Sequence, residues 1–222
     1  MAGVASSRHS KDWPTRDRIL IEASRLFATR GFAGTSTRDI ARAVGVRQPS
    51  LYAHFTSKQS IAEELIRRDL IDGAEALIRL RSAGGGPAIE LYRYLLWEVA
   101  YDRSTPFDLR AIYQTDLLEL PEFSEGRKLL RRFDSHLLSV ISRGMSEGDF
   151  DDVDPLLACR IVNAIVLETI RASATGSTED HAEADEIADF VLRSLLTRRS
   201  RLAAIRSAAH RANARDNQLL NS

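Results

Sequence analysis

The chain has 222 residues, 44% of them hydrophobic, 28% charged and 7% aromatic, with 12 Gly and 6 Pro. That composition excludes a disordered chain, suits one large domain or a small one joined to a medium one, and with so few loop formers points to helices. The formal net charge is zero, but residues 1–60 carry ten basic and four acidic side chains, residues 61–190 fourteen and 26, and residues 191–222 seven and one. A basic N-terminal segment on an acidic body suits an anionic partner, nucleic acid first among them.

The first amphipathic stripe is Ile19, Leu20, Ala23, Leu26 and Phe27. It predicts a helix from Thr15, as N-cap, to a left-handed Gly31. Ser36 and Asp39 have capping-box spacing and start a short helix that Gly45 ends after Ile40, Ala41 and Val44. Pro49 starts a third, to about Phe55, with Gln48 as its expected cap. Thr56 and Gln59 repeat the capping-box spacing and start a long helix to about Arg81.

Gly84-Gly85-Gly86-Pro87 is the clearest break in the chain. Helical patterns follow at about 88–102, 107–119 and 122–145, then at 155–171 and 180–197. The pattern at 155–171 is apolar apart from one narrow stripe of Arg160, Glu168 and Arg171, so it needs cover on two sides. The Arg-rich tail 198–222 keeps Leu202, Ile205, Ala209 and Ala212 at helical spacing, as an extension of the last helix or a frayed end. No segment alternates with period two and none repeats, so the expected fold is all-α with about nine helices.

The apolar run Leu156 to Ile170 is broken by Arg160 and Glu168, which argues against a membrane span. No apolar core follows the charges of residues 1–11, so no secretory signal is expected. One cysteine, Cys159, precludes an internal disulfide and fits a reducing cytoplasm. Asp149, Asp151, Asp152 and Asp154 lack the glycine and glutamate of a calcium loop and read as negative charge before a helix N-terminus. No cofactor, metal site or catalytic constellation is expected.

Residues 36–44 and 49–55, joined through Gly45, have the dimensions of a helix-turn-helix. Ile40, Ala41, Val44, Val46, Leu51 and Phe55 form its small core. Gln48, Ser50, Tyr52 and His54 are left facing out beside Arg38 and Arg47. Glutamine can read adenine, arginine can read guanine, and serine or tyrosine can meet phosphate or a thymine methyl. Lys58 can join the N–H groups at the next helix start on a phosphate.

The run from Thr15 to Lys58, through TRDIARAVGV and RQPSLYAHFTSK, resembles the DNA-binding domain of the tetracycline-repressor (TetR) family of bacterial regulators. The resemblance implies that Thr37 and Tyr52 touch phosphate, Lys58 sits on the backbone, Arg38 and Gln48 read bases, and Ser50 and His54 lie at the groove edge. Arg47 falls where the family varies. The competing account for Tyr52 and His54 is packing of the small domain.

By the same resemblance, residues 1–60, ordered from about residue 12, bind double-stranded DNA at a near-palindromic operator. Residues 61–197 then bind a small-molecule effector and form a homodimer through helices at 155–171 and 180–197. Tyr94, Trp97 and Tyr101 share one helix face, Phe133 and His136 another, and Phe107, Tyr113 and Gln114 come from between. These are the candidate effector contacts, with plain core as the competing account. The function implied is a ligand-released repressor. An activator, or a helical protein acting through a protein partner, remains the alternative.

Overall fold

A computed structural model describes residues 13–113, 116–173 and 181–220. Among these, ten α-helices account for the fold and no strand forms; one antiparallel bridge links Phe150 and Leu196. The chain divides into two compact units, Met1–Arg68 with Pro106–Gly126, and Asp69–Thr105 with Arg127–Ser222.

The first unit holds α1 (Thr15–Arg30), α2 (Thr37–Val44), α3 (Gln48–Tyr52), the start of α4 (Lys58–Ser82) and the short α6 (Arg110–Tyr113). Helix α1 buries Ile19, Leu20, Ile21, Ala23, Ser24 and Phe27. Pro14, not Thr15, is its N-cap, because the extended proline leaves its carbonyl to accept from Arg18 at 3.0 Å. Gly31 has a positive φ of 73° but an extended ψ of 163°, so it ends the helix without the left-handed geometry expected.

Among the described residues of the helix expected at 107–119 only Arg110–Tyr113 is α-helical, followed by a 3-10 turn at Asp116–Glu119; a second 3-10 turn, Pro121–Phe123, precedes the helix that starts at Ser124. Tertiary contacts favour that shape. The Asp108 amide donates to Ser24 Oγ at 2.9 Å, and the Phe123 ring meets Phe32 edge-on at 5.3 Å. The α4 cap is one residue later than expected: Ser57 and Ser60 exchange amide-to-hydroxyl bonds at 3.2 and 3.0 Å.

Glu64 on α4 clamps this unit. It accepts from Arg16 at 2.9 Å, Arg67 at 2.9 Å and Arg68 at 3.0 Å, while Arg68 also holds Asp17 at 2.8 Å. Burial pushes the carboxyl upward, but the three guanidinium groups outweigh it and hold Glu64 at about 2 against an ordinary 4.5. A depressed carboxylate stabilises the fold fully above its unfolded pKa and loses that contribution as pH falls through the folded one. Glu64→Gln is therefore expected to cost about 1–2 kcal/mol at neutral pH, discounted because Arg16 and Arg67 are half exposed. The deficit should shrink from pH 4.5 down to about 2, and urea titrations across that range would expose a pH-independent deficit if the clamp were absent.

The second unit continues α4 from Asp69 and adds α5 (Pro87–Ser104), α7 (Ser124–Ser146) from Arg127, α8 (Pro155–Ser173), α9 (His181–Leu195) and α10 (Leu202–Leu220). Helix α5 is central and packs against α8, α9 and α10. Its Leu91, Tyr92, Tyr94 and Leu95 join Leu137, Val140 and Ile141 of α7, Val162 of α8 and Val191 and Leu192 of α9 in one core. Asp154 accepts the Leu156 amide at 2.9 Å, as negative charge before α8 was expected to do. Cys159 is buried, and burial together with Asp134 raises its thiol to about 11.

The tail is neither frayed nor a continuation of α9. A 3-10 turn at Arg199–Arg201 separates the two, and α10 docks through Leu202, Ile205 and Ala209. Its charged residues find acids from other helices. Arg206 reaches Asp185 at 2.8 Å and Asp189 at 3.4 Å, and His210 Nε2 lies 2.8 Å from Asp185. The buried Arg93 of α5 donates to Asn213 at 2.7 Å and pairs with Asp216.

Candidate nucleic-acid interface

The interface is built on a two-helix core. Ser36 and Asp39 form the capping box, each side chain taking the other's backbone amide, at 3.2 and 3.1 Å. Gly45 sits in the left-handed region at φ 76°, ψ 33°, where a side chain would strain the backbone, and its amide caps α2. Ile40, Ala41, Val44, Leu51 and Phe55 are buried as expected, whereas Val46 is only half-buried because it lies in the turn. Arg47, not Gln48, is the N-cap of α3, which places Gln48 inside the first turn with Pro49 beside it.

This scaffold leaves a set of polar side chains open to solvent. Arg38, Arg47, Ser50, Tyr52 and His54 are exposed, Tyr52 by 47%, and Thr37 and Gln48 are half-buried. Among the described residues no ion pair holds Arg38 or Arg47. Thr37 Oγ1 and Tyr52 Oη lie 3.2 Å apart across the two helices, and Gln48 Nε2 donates to the same Thr37 oxygen at 3.5 Å. These contacts restrict the rotamers of three polar side chains before any partner arrives. Tyr52 thus gives its hydroxyl to the inter-helix link and leaves its ring exposed.

Lys58 is placed differently. Its ammonium donates to the Phe32 carbonyl at 2.6 Å and lies 4.1 Å from the Phe32 ring centre, and burial lowers its pKa. To reach a phosphate it must exchange these partners. The sequence could not signal this, because Phe32 is 26 residues away.

The candidate effector contacts divide. Tyr94, Trp97 and Tyr101 of α5 stack in succession, with centroids 6.4 and 4.9 Å apart, and Phe133 of α7 lies 6.2 Å from Tyr94. His136 is half-buried one turn beyond Phe133. Phe107 and Tyr113 belong to the first unit, where Arg68 stands 5.8 Å from the Phe107 ring. Gln114 lies outside the described residues. Glu98 was not singled out from sequence. It accepts the Tyr94 hydroxyl one turn away, and its position within the aromatic stripe was the available signal.

Residues 19–65 match the family of bacterial regulatory proteins described as the tetR family. Among similar proteins, the HTH-type transcriptional repressor KstR2 of Rhodococcus jostii (strain RHA1) is 32% identical over 162 residues, covering 70% of this chain and 78% of the relative. The crystal structure of Mycobacterium smegmatis AmtR aligns at a TM-score of 0.73 with 25% identity, over 88% of this chain and 94% of that one. KstR2 of Mycobacterium tuberculosis shares the fold at a TM-score of 0.70, with 24% identity over 89% of this chain and 99% of that one. Among the described residues no helix is long and apolar enough to cross a membrane. With a matched helix-turn-helix and similarity that runs through the remaining helices, the chain belongs to the tetR family of bacterial regulatory proteins and is a DNA-binding transcriptional repressor.

Proposed function

We propose that two copies of the protein, paired through α8 and α9, occupy a near-palindromic operator in the cytoplasm and leave it when a small-molecule effector enters the second unit. The observation that supports the DNA contact is the Tyr52–Thr37–Gln48 set of contacts across α2 and α3, on a motif that leaves Arg38 and Ser50 exposed. In this reading Arg38 and Gln48 read base edges, Thr37 and Tyr52 meet phosphates, Ser50 and His54 line the groove edge, and Arg47 and Lys58 complete the backbone contacts. An isologous pair sets its two recognition helices about 34–36 Å apart, one turn of duplex DNA.

Release then follows from a population shift, in which the effector favours a body conformation whose paired helices no longer match that spacing. The chain passes between the units at three covalent junctions, after Arg68, Thr105 and Gly126, and α4 runs unbroken through the first of them. The protein acts by binding, not by turnover of a substrate.

Selection of sites from randomised duplex DNA by the purified, effector-free protein at low salt tests this. A near-palindrome is the expected yield; a folded dimer that enriches no sequence would end the operator reading. Arg38→Ala should then lower affinity by about 1–3 kcal/mol at one base position of each half-site. Equal weakening on every sequence would make Arg38 a phosphate contact instead.

A further inference from the structure

Thr37 stands between two side chains of α3. It is the first residue of α2, where the Ser36–Asp39 box fixes the backbone, and Gln48 and Tyr52 are the first and last residues of α3. One oxygen, Thr37 Oγ1, meets both: Tyr52 Oη at 3.2 Å and Gln48 Nε2 at 3.5 Å. The partners lie 15 and 11 residues along the chain, so the link exists only once α2 and α3 have packed.

The protons of the link decide what it leaves for a partner. An amide nitrogen donates and does not accept, so Gln48 gives one of its two hydrogens to Thr37 and keeps the other. The free N–H and Oε1 then offer one donor beside one acceptor, the pair that N7 and the N6 amino group of adenine require. Guanine shows two acceptors on the same edge and would leave Oε1 without a partner. Between Thr37 and Tyr52 one hydroxyl donates and the other accepts. In either polarity one hydroxyl proton of the two is used, so the pair has one donor left for a phosphate, not two.

We propose that Thr37 is a positioning residue: it orients the Gln48 amide toward an adenine and ties that reading to a single phosphate contact made by Thr37 and Tyr52 as a pair. The inference rests on the operator binding proposed above and names the base that Gln48 selects. A contact of 3.5 Å steers the side chain more than it holds it. Its contribution to base discrimination is that of one pre-ordered side chain, about two- to tenfold.

The test starts from the operator that the unaltered protein selects. Duplexes carrying each base at each half-site position are titrated by fluorescence anisotropy with the unaltered protein and with Gln48→Ala, Thr37→Val, Thr37→Ser and Tyr52→Phe, the fold of each checked by circular dichroism. Gln48→Ala should lose base preference at one position, an adenine in the unaltered protein. Thr37→Val, which keeps the shape and lacks the hydroxyl, should lower the adenine preference at that position about two- to tenfold and leave the other positions as they were. Thr37→Ser should restore it, and Thr37→Val with Tyr52→Phe should cost less than the product of the two single losses. Thr37→Ala serves the same comparison if the valine variant does not fold. An unchanged preference in Thr37→Val, or equal weakening on every sequence, overturns the positioning role, and so does a guanine at the Gln48 position. A Gln48→Ala protein that keeps every base preference overturns it as well and leaves operator binding standing. If the unaltered protein selects no sequence, the operator reading itself falls and this inference falls with it.

Discussion

Replacing Leu157 and Ile161 together by Asp is expected to give a folded monomer that binds its operator on the order of 10²–10⁴-fold more weakly. The two side chains lie one turn apart on α8 and are 52% and 50% exposed; Leu156 and Leu167 of the same helix and Phe190 of α9 are exposed as well. Opposite them Ala158, Cys159 and Val162 fill the core, so the substituted positions contribute little to the protomer's own packing. An apolar face of this kind marks an interaction surface. In an isologous pair each new carboxylate is buried against its symmetry mate, which couples repulsion to desolvation. Operator affinity falls because each monomer then binds one half-site without the effective concentration its partner supplied. Sedimentation and titration of full and half operators give the answer. A variant that stays dimeric, or a parent protein that is already monomeric, would show that this face does not pair.

The second large effect is expected at Gly144 on α7. A Cβ built there would stand 2.1 and 2.3 Å from two atoms of the Phe150 ring and 2.9 Å from a third. Phe150 is buried and anchors the turn after α7: its amide and that of Asp149 both return to the Gly144 carbonyl, at 2.9 and 2.8 Å. The Phe150–Leu196 bridge then ties this turn to the end of α9. The ring is buried and the clash includes its Cγ, so Gly144→Ala should destabilise the fold by about 3 kcal/mol, despite the helix propensity that alanine brings. Adding Phe150→Leu, which removes one of the three clashing atoms and replaces the flat ring by a shorter branched side chain, should recover part of the loss. Denaturant midpoints of the single and double variants decide the matter, and a neutral Gly144→Ala would mean that the turn relaxes freely.

Local signals carried much of this protein. The stripe from Ile19 to Phe27, the Ser36–Asp39 box, Gly45 and the Tyr94–Trp97–Tyr101 face depend on neighbours within two turns, and each appears in the structure where its spacing placed it. The Thr15, Gln48 and Thr56 caps each missed by one residue, since adjacent polar residues offer equivalent caps on paper and only backbone geometry separates them. Helix α10 was ambiguous because its stripe is narrow and its arginine and histidine partners, Asp185 and Asp189, lie on another helix. The hold of Phe32 on Lys58 and the gathering of acids around Glu98 are likewise non-local. The candidate DNA contacts could be named from sequence because most of them sit on one short motif, whereas a cluster gathered from α4, α5 and α7 offers no single segment to read.

The segment Pro106–Gly126 packs with the first 68 residues although the 37 residues of Asp69–Thr105 intervene in the chain. Ser24 receives the Asp108 amide, Phe32 leans on Phe123, and Gly126 fits against Ile66 and Leu118 where a Cβ would come within 3.1–3.2 Å. A chimaera that joined only the N-terminal helices to another regulator's body would strip these surfaces bare. Transplanting the specificity of this protein means moving two separate stretches of chain, and a graft cut at residue 60 should emerge as an insoluble or partly molten product.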